Sequence, residues 1–115
     1  MSRISELKFF VELDDNKVPV KIEWEADDAG FEGRKEAKTM LLSLWDKEEN
    51  GTLGIDIWTK EMMVEEMYIH AHQILLKLSD TFLRSTKNRE PSTLLEKAAA
   101  DLADILELPK QTDKK

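Results

Sequence analysis

Cysteine does not occur in this chain of 115 residues, which excludes disulfide frameworks and thiolate metal sites. Histidine is nearly as scarce, with His70 and His72 the only imidazoles. Two positions apart on a helix they point to different faces, so they cannot chelate one ion together, and the i, i+4 pair of a zinc peptidase is absent. No apolar run approaches the roughly 18 residues that span a bilayer. The opening Met1-Ser2-Arg3-Ile4-Ser5-Glu6 has no basic segment followed by an apolar one, so no secretory signal is read and the expected location is cytoplasmic. There are only four glycines, and none forms a phosphate-cradling loop; no serine sits in a nucleophile elbow. The expectation is a protein with no enzyme activity: no catalytic residue, no cofactor and no metal.

What is abundant is charge. Twenty-four acidic against 17 basic residues leave a net −7, and 36% of the chain is ionic, well above the roughly 25% of an ordinary domain. Such a surface repels phosphate backbones and anionic lipid, so nucleic acid and membrane insertion are expected to play no part. The carboxylates come in adjacent pairs such as Asp14-Asp15, Glu48-Glu49 and Glu65-Glu66. Acid–base chemistry needs two carboxylates held apart in a cleft, which adjacency does not supply, so these read as solvated surface. Asp46-Lys47-Glu48-Glu49-Asn50-Gly51 begins like a calcium loop, but the twelfth position, where a bidentate Glu belongs, is Ile57. A hairpin turn explains the same residues.

The apolar pattern predicts an α+β fold. Leu7, Phe9, Val11 and Leu13 alternate with polar residues, and so do Val18, Val20, Ile22 and Trp24, the period of half-buried strands. A hairpin through residues 14–17 would set Leu13 against Val18, Val11 against Val20, Phe9 against Ile22 and Leu7 against Trp24. Residues 27–36 are polar, hold Gly30 and Gly33, and read as a connector. A second hairpin pairs Met40, Leu42 and Leu44 with Ile57, Ile55 and Leu53. From Met63 to about Ser85 the period becomes helical, through Val64, Met67, Ala71, Ile74, Leu78 and Phe82. Residues 87–91 break it, and Thr93 with Glu96 reads as the capping box of a last helix that Pro109 stops. The predicted architecture is therefore a four-stranded antiparallel sheet of two hairpins followed by two antiparallel helices packed on one face. One domain covers residues 1–109, with a disordered charged tail at 110–115.

Two surfaces stand out for binding. The outer face of the second hairpin carries Trp45, Trp58 and Leu41, extended by Phe10, and aromatic anchors on an exposed patch mark protein interfaces. The competing reading folds residues 27–36 over this face with Phe31 as plug. The second surface is a thin stripe along the first helix, Ile69, His72, Leu76 and Leu83, whose natural use is self-association. A protein partner and a homo-oligomer are thus the expected contacts.

Two stretches resemble a known family. Met40-Leu41-Leu42-Ser43-Leu44-Trp45-Asp46 with Gly54-Ile55-Asp56-Ile57-Trp58-Thr59-Lys60-Glu61-Met62 is similar to the gliding-motility-associated GldC family of Bacteroidetes. Glu12-Leu13-Asp14, Glu66-Met67, Gln73 and Asp80-Thr81-Phe82 also look similar, so the likeness runs to about Leu83, with Ile55 to Lys60 its most specific part. It implies a small accessory protein of gliding and the associated secretion machinery, acting as adaptor or chaperone-like factor, and implies no activity or cofactor. The layout of four strands then two helices is also similar to the SecB export chaperone, which implies an oligomer that holds extended clients. The alternative from a different class is a small-ligand carrier or an enzyme whose pocket lies between sheet and helices.

Overall fold

A computed structural model of the chain describes residues 2–109; the tail expected at 110–115 lies outside the described residues. The chain divides into two compact units, 1–62 and 63–115.

The first unit is all strand. β1 (Leu7–Leu13), β2 (Pro19–Ala26) and β3 (Lys35–Ala37) form a three-stranded antiparallel sheet, and β4 (Thr39–Asp46) with β5 (Gly51–Trp58) forms a separate two-stranded one. The expected single four-stranded sheet is therefore replaced by five strands in two sheets. The extra strand is β3, which comes from the end of the predicted connector and pairs Ala37 with Ile22 and Lys35 with Trp24. A bend at Lys38 separates it from β4.

The β1–β2 register is shifted two residues from the expected one: Val11 faces Ile22, Phe9 faces Trp24 and Leu7 faces Ala26, with a bulge at Glu12/Leu13. Turn chemistry explains the shift. The Asp14 carboxylate accepts the N–H groups of Asn16 (2.8 Å) and Val18 (3.0 Å), while Lys17 takes a left-handed φ of 64°. The turn thus consumes Val18, and Pro19, having no N–H, starts the strand at the bulge opposite Leu13. An even shift leaves the side chains from Leu7 to Glu12 on their expected faces, and the phase changes only at the bulge, where Leu13 meets Pro19. Ile22, at 1% exposure, is the centre of this sheet.

The second hairpin has the predicted register, with Met40 opposite Ile57, Leu42 opposite Ile55 and Leu44 opposite Leu53. Its turn is organised as Asp14's is: the Asp46 carboxylate accepts N–H bonds from Glu48 (3.1 Å) and Glu49 (2.6 Å). Asn50, at φ 54°, supplies the left-handed residue, and its neighbour Gly51 does not. Asparagine tolerates that conformation because its short polar side chain can bond locally.

The second unit is a helical hairpin, α1 (Val64–Thr86) and α2 (Arg89–Ile105). The Glu66 carboxylate accepts the Met63 N–H (2.8 Å), closing the start of α1. Lys87, left-handed at φ 61°, ends it by donating its N–H to the Leu83 carbonyl (2.8 Å). α2 begins at Arg89, four residues before the predicted Thr93 cap. Pro91 falls in its first turn, where a missing N–H leaves no intrahelical bond unmade, so it does not break the helix as expected. The helices meet at small residues. Ser79 and Ser92 are both buried, and each hydroxyl reaches the other's backbone carbonyl, at 2.8 and 2.9 Å. Ala99, two turns on from Ser92, has no exposed surface. Among the described residues, Ile22 and Ala99 are the only fully buried hydrophobic side chains.

Thr59, immediately after β5, is buried and donates its N–H to the Lys38 carbonyl (2.8 Å), but its hydroxyl has no partner. An unpaired buried hydroxyl carries its desolvation cost with no return. Thr59→Val keeps the shape and removes the hydroxyl, so it is expected to stabilise the protein by about 1 kcal/mol in urea unfolding. A destabilised variant would show that the hydroxyl is bonded in solution.

Candidate docking hairpin

The site is built on β4 and β5, whose alternation sends two different surfaces to opposite sides. On one side stand Leu41, Ser43 and Trp45 of β4 with Trp58, Asp56, Gly54 and Thr52 of β5. Trp45 is 69% exposed, Trp58 54% and Leu41 41%. The two indoles sit at opposite ends, opposite Thr52 and Thr39, about 20 Å apart at strand rise. Between them Ser43 faces Gly54, so the face dips in the middle. A Cβ on Gly54 would come to 3.3 Å of the Leu42 carbonyl oxygen. Two flat, amphipathic rings on the rims of a shallow, small-residue notch can grip an extended or helical segment at low entropic cost.

Residues 27–36 do not cover this face. Phe31 packs edge-on against Trp24, ring centroids 5.2 Å apart, with the Lys35 ammonium 5.0 Å from its own centroid. Phe10 is elsewhere too: on β1, half-buried beneath Arg34, whose guanidinium carbon stands 3.6 Å above the ring. Arg34 is held there by Glu23 (3.3 Å) and Glu25 (3.7 Å). The structure thus places Leu41, Trp45 and Trp58 on one face of the ribbon, with Leu41 between the two indoles along it, and leaves Phe10 on the other sheet.

The opposite side of the hairpin is aliphatic. Met40, Leu42 and Ile57 are half-buried, but toward the turn Leu44, Leu53 and Ile55 are all more than half exposed. Alternation places these six residues on one face, and exposure of its turn half is set by what packs there, which periodicity does not carry.

The segment after Trp58 is tied to the first hairpin. The Lys60 ammonium pairs with the Asp14 carboxylate, and the Lys60 N–H bonds the Pro19 carbonyl (3.2 Å). Lys60, then the Val18 N–H, holds the Asp14 carboxyl below its ordinary value of 3.8. The Ser5 hydroxyl (2.6 Å) and then Arg3 do the same for Asp28. A carboxyl depressed in the folded state stabilises fully above its unfolded pKa and loses that contribution as pH falls through the folded value. The thermal midpoint is therefore expected to hold from neutrality to about pH 5 and to fall below about pH 4. Asp14→Asn should lower the neutral midpoint and flatten the acid drop, read by circular dichroism melts across pH.

The helical stripe is also laid out in the structure. Ile69 and Leu76 are exposed, while His72 and Leu83 are half-buried. Ile69 and His72 line a groove of 610 Å³ within the helical hairpin, with Gln73 and, from α2 onward, Ala100, Ala103, Asp104, Leu108 and Pro109. Among the described residues the buried polar side chains are Thr59, Ser79 and Ser92, and none of them lines it. Among the described residues no helix is long and apolar enough to cross a membrane.

No curated protein and no solved structure matches the chain. The family model described as gliding motility-associated protein GldC-like matches residues 19–108. That span takes in β2 through α2, including the last helix, where the resemblance read from the sequence had stopped near Leu83; it leaves out β1. Covering most of the 115 residues, it shows that the chain belongs to the GldC-like family of gliding motility-associated proteins.

Proposed function

We propose that this chain is a non-enzymatic accessory of bacterial gliding and its associated secretion machinery, and that it docks a protein component of that machinery on the Trp45/Leu41/Trp58 face. Family membership supports the setting in gliding motility. The observation that carries the docking reading is the pair of indoles, 69% and 54% exposed, on the rims of one notch. A monomer rarely gives two tryptophans to water without using them, because each loses roughly 150–250 Å² of possible burial. The face holds a single charge, Asp56, in a chain of net −7. Its partner is therefore selected by apolar fit, and rim charges steer the encounter.

The second reading, a small-ligand carrier, has the α1–α2 groove in its favour. Its lining gives that reading less: mostly apolar side chains with His72, Gln73 and Asp104, and no buried polar pair converging on a ligand.

The test is genetic and biochemical together. In the bacterium that carries it, deletion is expected to abolish surface spreading, and the wild-type chain to restore it. Trp45→Ala with Trp58→Ala should fail to restore spreading while keeping the circular dichroism spectrum and a stability within about 1 kcal/mol of wild type, as befits surface positions. Full restoration by the double variant would remove this face from the function.

A further inference from the structure

The β4–β5 ribbon is a two-stranded sheet whose indole face is open and whose aliphatic face is open over the half nearer the turn, and such a ribbon is marginal in water without a third strand or a fuller cover. Its outer β4 edge is also unprotected. Proteins blunt exposed edges with Lys, Pro, bulges or inward charges. β1 carries Lys8 and Glu12, whereas Thr39–Trp45 of β4 has no charge, no proline and no bulge. The Thr59 N–H bonds the Lys38 carbonyl, which sets the phase of the ladder. The even-numbered residues of β4 direct their backbone groups to β5, so Leu41, Ser43 and Trp45 direct theirs outward.

The geometry points to a second copy of this chain as the strand that pairs there, β4 against β4 about a two-fold axis at Leu42. The sequence is self-complementary in that register. Leu41 bonds Ser43 of the other copy through the outward groups of both, Leu42 meets its own counterpart, and Met40 meets Leu44. Trp45 stands beside Thr39, and Asp46 falls opposite Lys38, so the two charges that bound the strand meet with opposite sign. A one-residue displacement of the axis, to Ser43, would bring Asp46 against Met40 and lose this match. The product is a four-stranded sheet, β5-β4-β4-β5, which meets the minimum for a stable sheet. It joins Met40, Leu42 and Leu44 of both copies into one aliphatic face and places the two tryptophan faces side by side. A foreign strand could satisfy the backbone, but it would have no reason to match both the aliphatic spacing and the end charges. The inference goes beyond the docking reading and stands independently of it.

Because the chain has no cysteine, one introduced thiol reports the register directly. Leu42→Cys puts two thiols at a non-hydrogen-bonded pair, where Cα atoms are about 4.5 Å apart and a disulfide can close. The wild-type chain is expected to run by light scattering at twice 13.3 kDa, and Leu42→Cys to convert to a covalent dimer under mild oxidant while Leu76→Cys on α1 does not. Ser43→Pro removes an outward N–H without touching the β5 ladder and should weaken the dimer at least about tenfold with tryptophan emission unchanged. If that variant unfolds, the thiol result alone decides. A wild type of 13.3 kDa at 100-micromolar order concentration would overturn the proposal, and so would a dimer trapped at Leu76→Cys and not at Leu42→Cys. Loss of spreading in the tryptophan double variant with the dimer intact would leave the pairing standing, and the converse result would leave the docking face standing.

Discussion

Ile22→Ala is expected to lower the stability of the strand unit by about 2–5 kcal/mol, the cost of deleting a large side chain from a site that cannot collapse. The position is exceptional here. Ile22 is 1% exposed and sits mid-strand on β2 with Val11 on one side and Ala37 on the other, so neither flank is large enough to fill the void. Its neighbours on the same face, Phe9 and Val11, remain about 40% exposed, so little other burial compensates. Against a typical total of about 5–15 kcal/mol the loss is a large share. All three tryptophans, Trp24, Trp45 and Trp58, belong to residues 1–62, so the indole emission transition in urea reads this unit. A shift under about 1 kcal/mol would mean that the sheet is held from another side.

Ala99→Leu should have the second largest effect, and on the other unit. Ala99 has no exposed surface and follows Ser92 by seven residues on the same face of α2, the face whose serine is locked to Ser79 of α1. Small residues at both levels let the helix backbones approach, and three added carbons must push them apart and stretch the reciprocal serine bonds. The expected loss is about 1–3 kcal/mol of overpacking, rising if the bonds at Ser79 and Ser92 break and leave buried hydroxyls unpaired. Helical ellipticity in urea measures it, since both helices lie in residues 63–115. Ala99→Ser, nearly the same size, should cost far less. A loss from Ala99→Leu no larger than that from Ala99→Ser would show that volume at this position is not what limits the helix approach.

How much of this was legible in the residues depends on which force sets each feature. The β4–β5 register was readable because three aliphatic pairs and an Asp-x-x-x-Asn turn agree on one alignment. α1 was readable from its period, ending within a residue or two of Thr86. β3 was not, since Lys35-Glu36-Ala37 has no apolar alternation and exists only by pairing with β2. The β1–β2 shift turned on side-chain bonds from Asp14, which strand periodicity does not see. The start of α2 lies earlier than the breaker signal at Pro91 suggests, because proline in a first turn breaks nothing. For the site, spacing put Leu41, Trp45 and Trp58 on one face, but exposure is a property of what packs against a face. Phe31 packs on Trp24 and leaves the indoles of the hairpin open, a choice between aromatic partners that spacing does not encode.

Both proposals rest on the β4–β5 ribbon: its indole face is the proposed docking surface, and its β4 edge the proposed pairing surface for a second copy. The most direct measurement is photo-crosslinking in the living host, with a benzophenone-bearing residue placed at Trp58 and, as control, at Lys77 on α1, followed by mass spectrometry of the adducts. A discrete adduct is expected between position 58 and another protein of the gliding apparatus, with none of that product from position 77. Position 58 yielding no heterologous adduct in actively spreading cells would contradict the docking proposal.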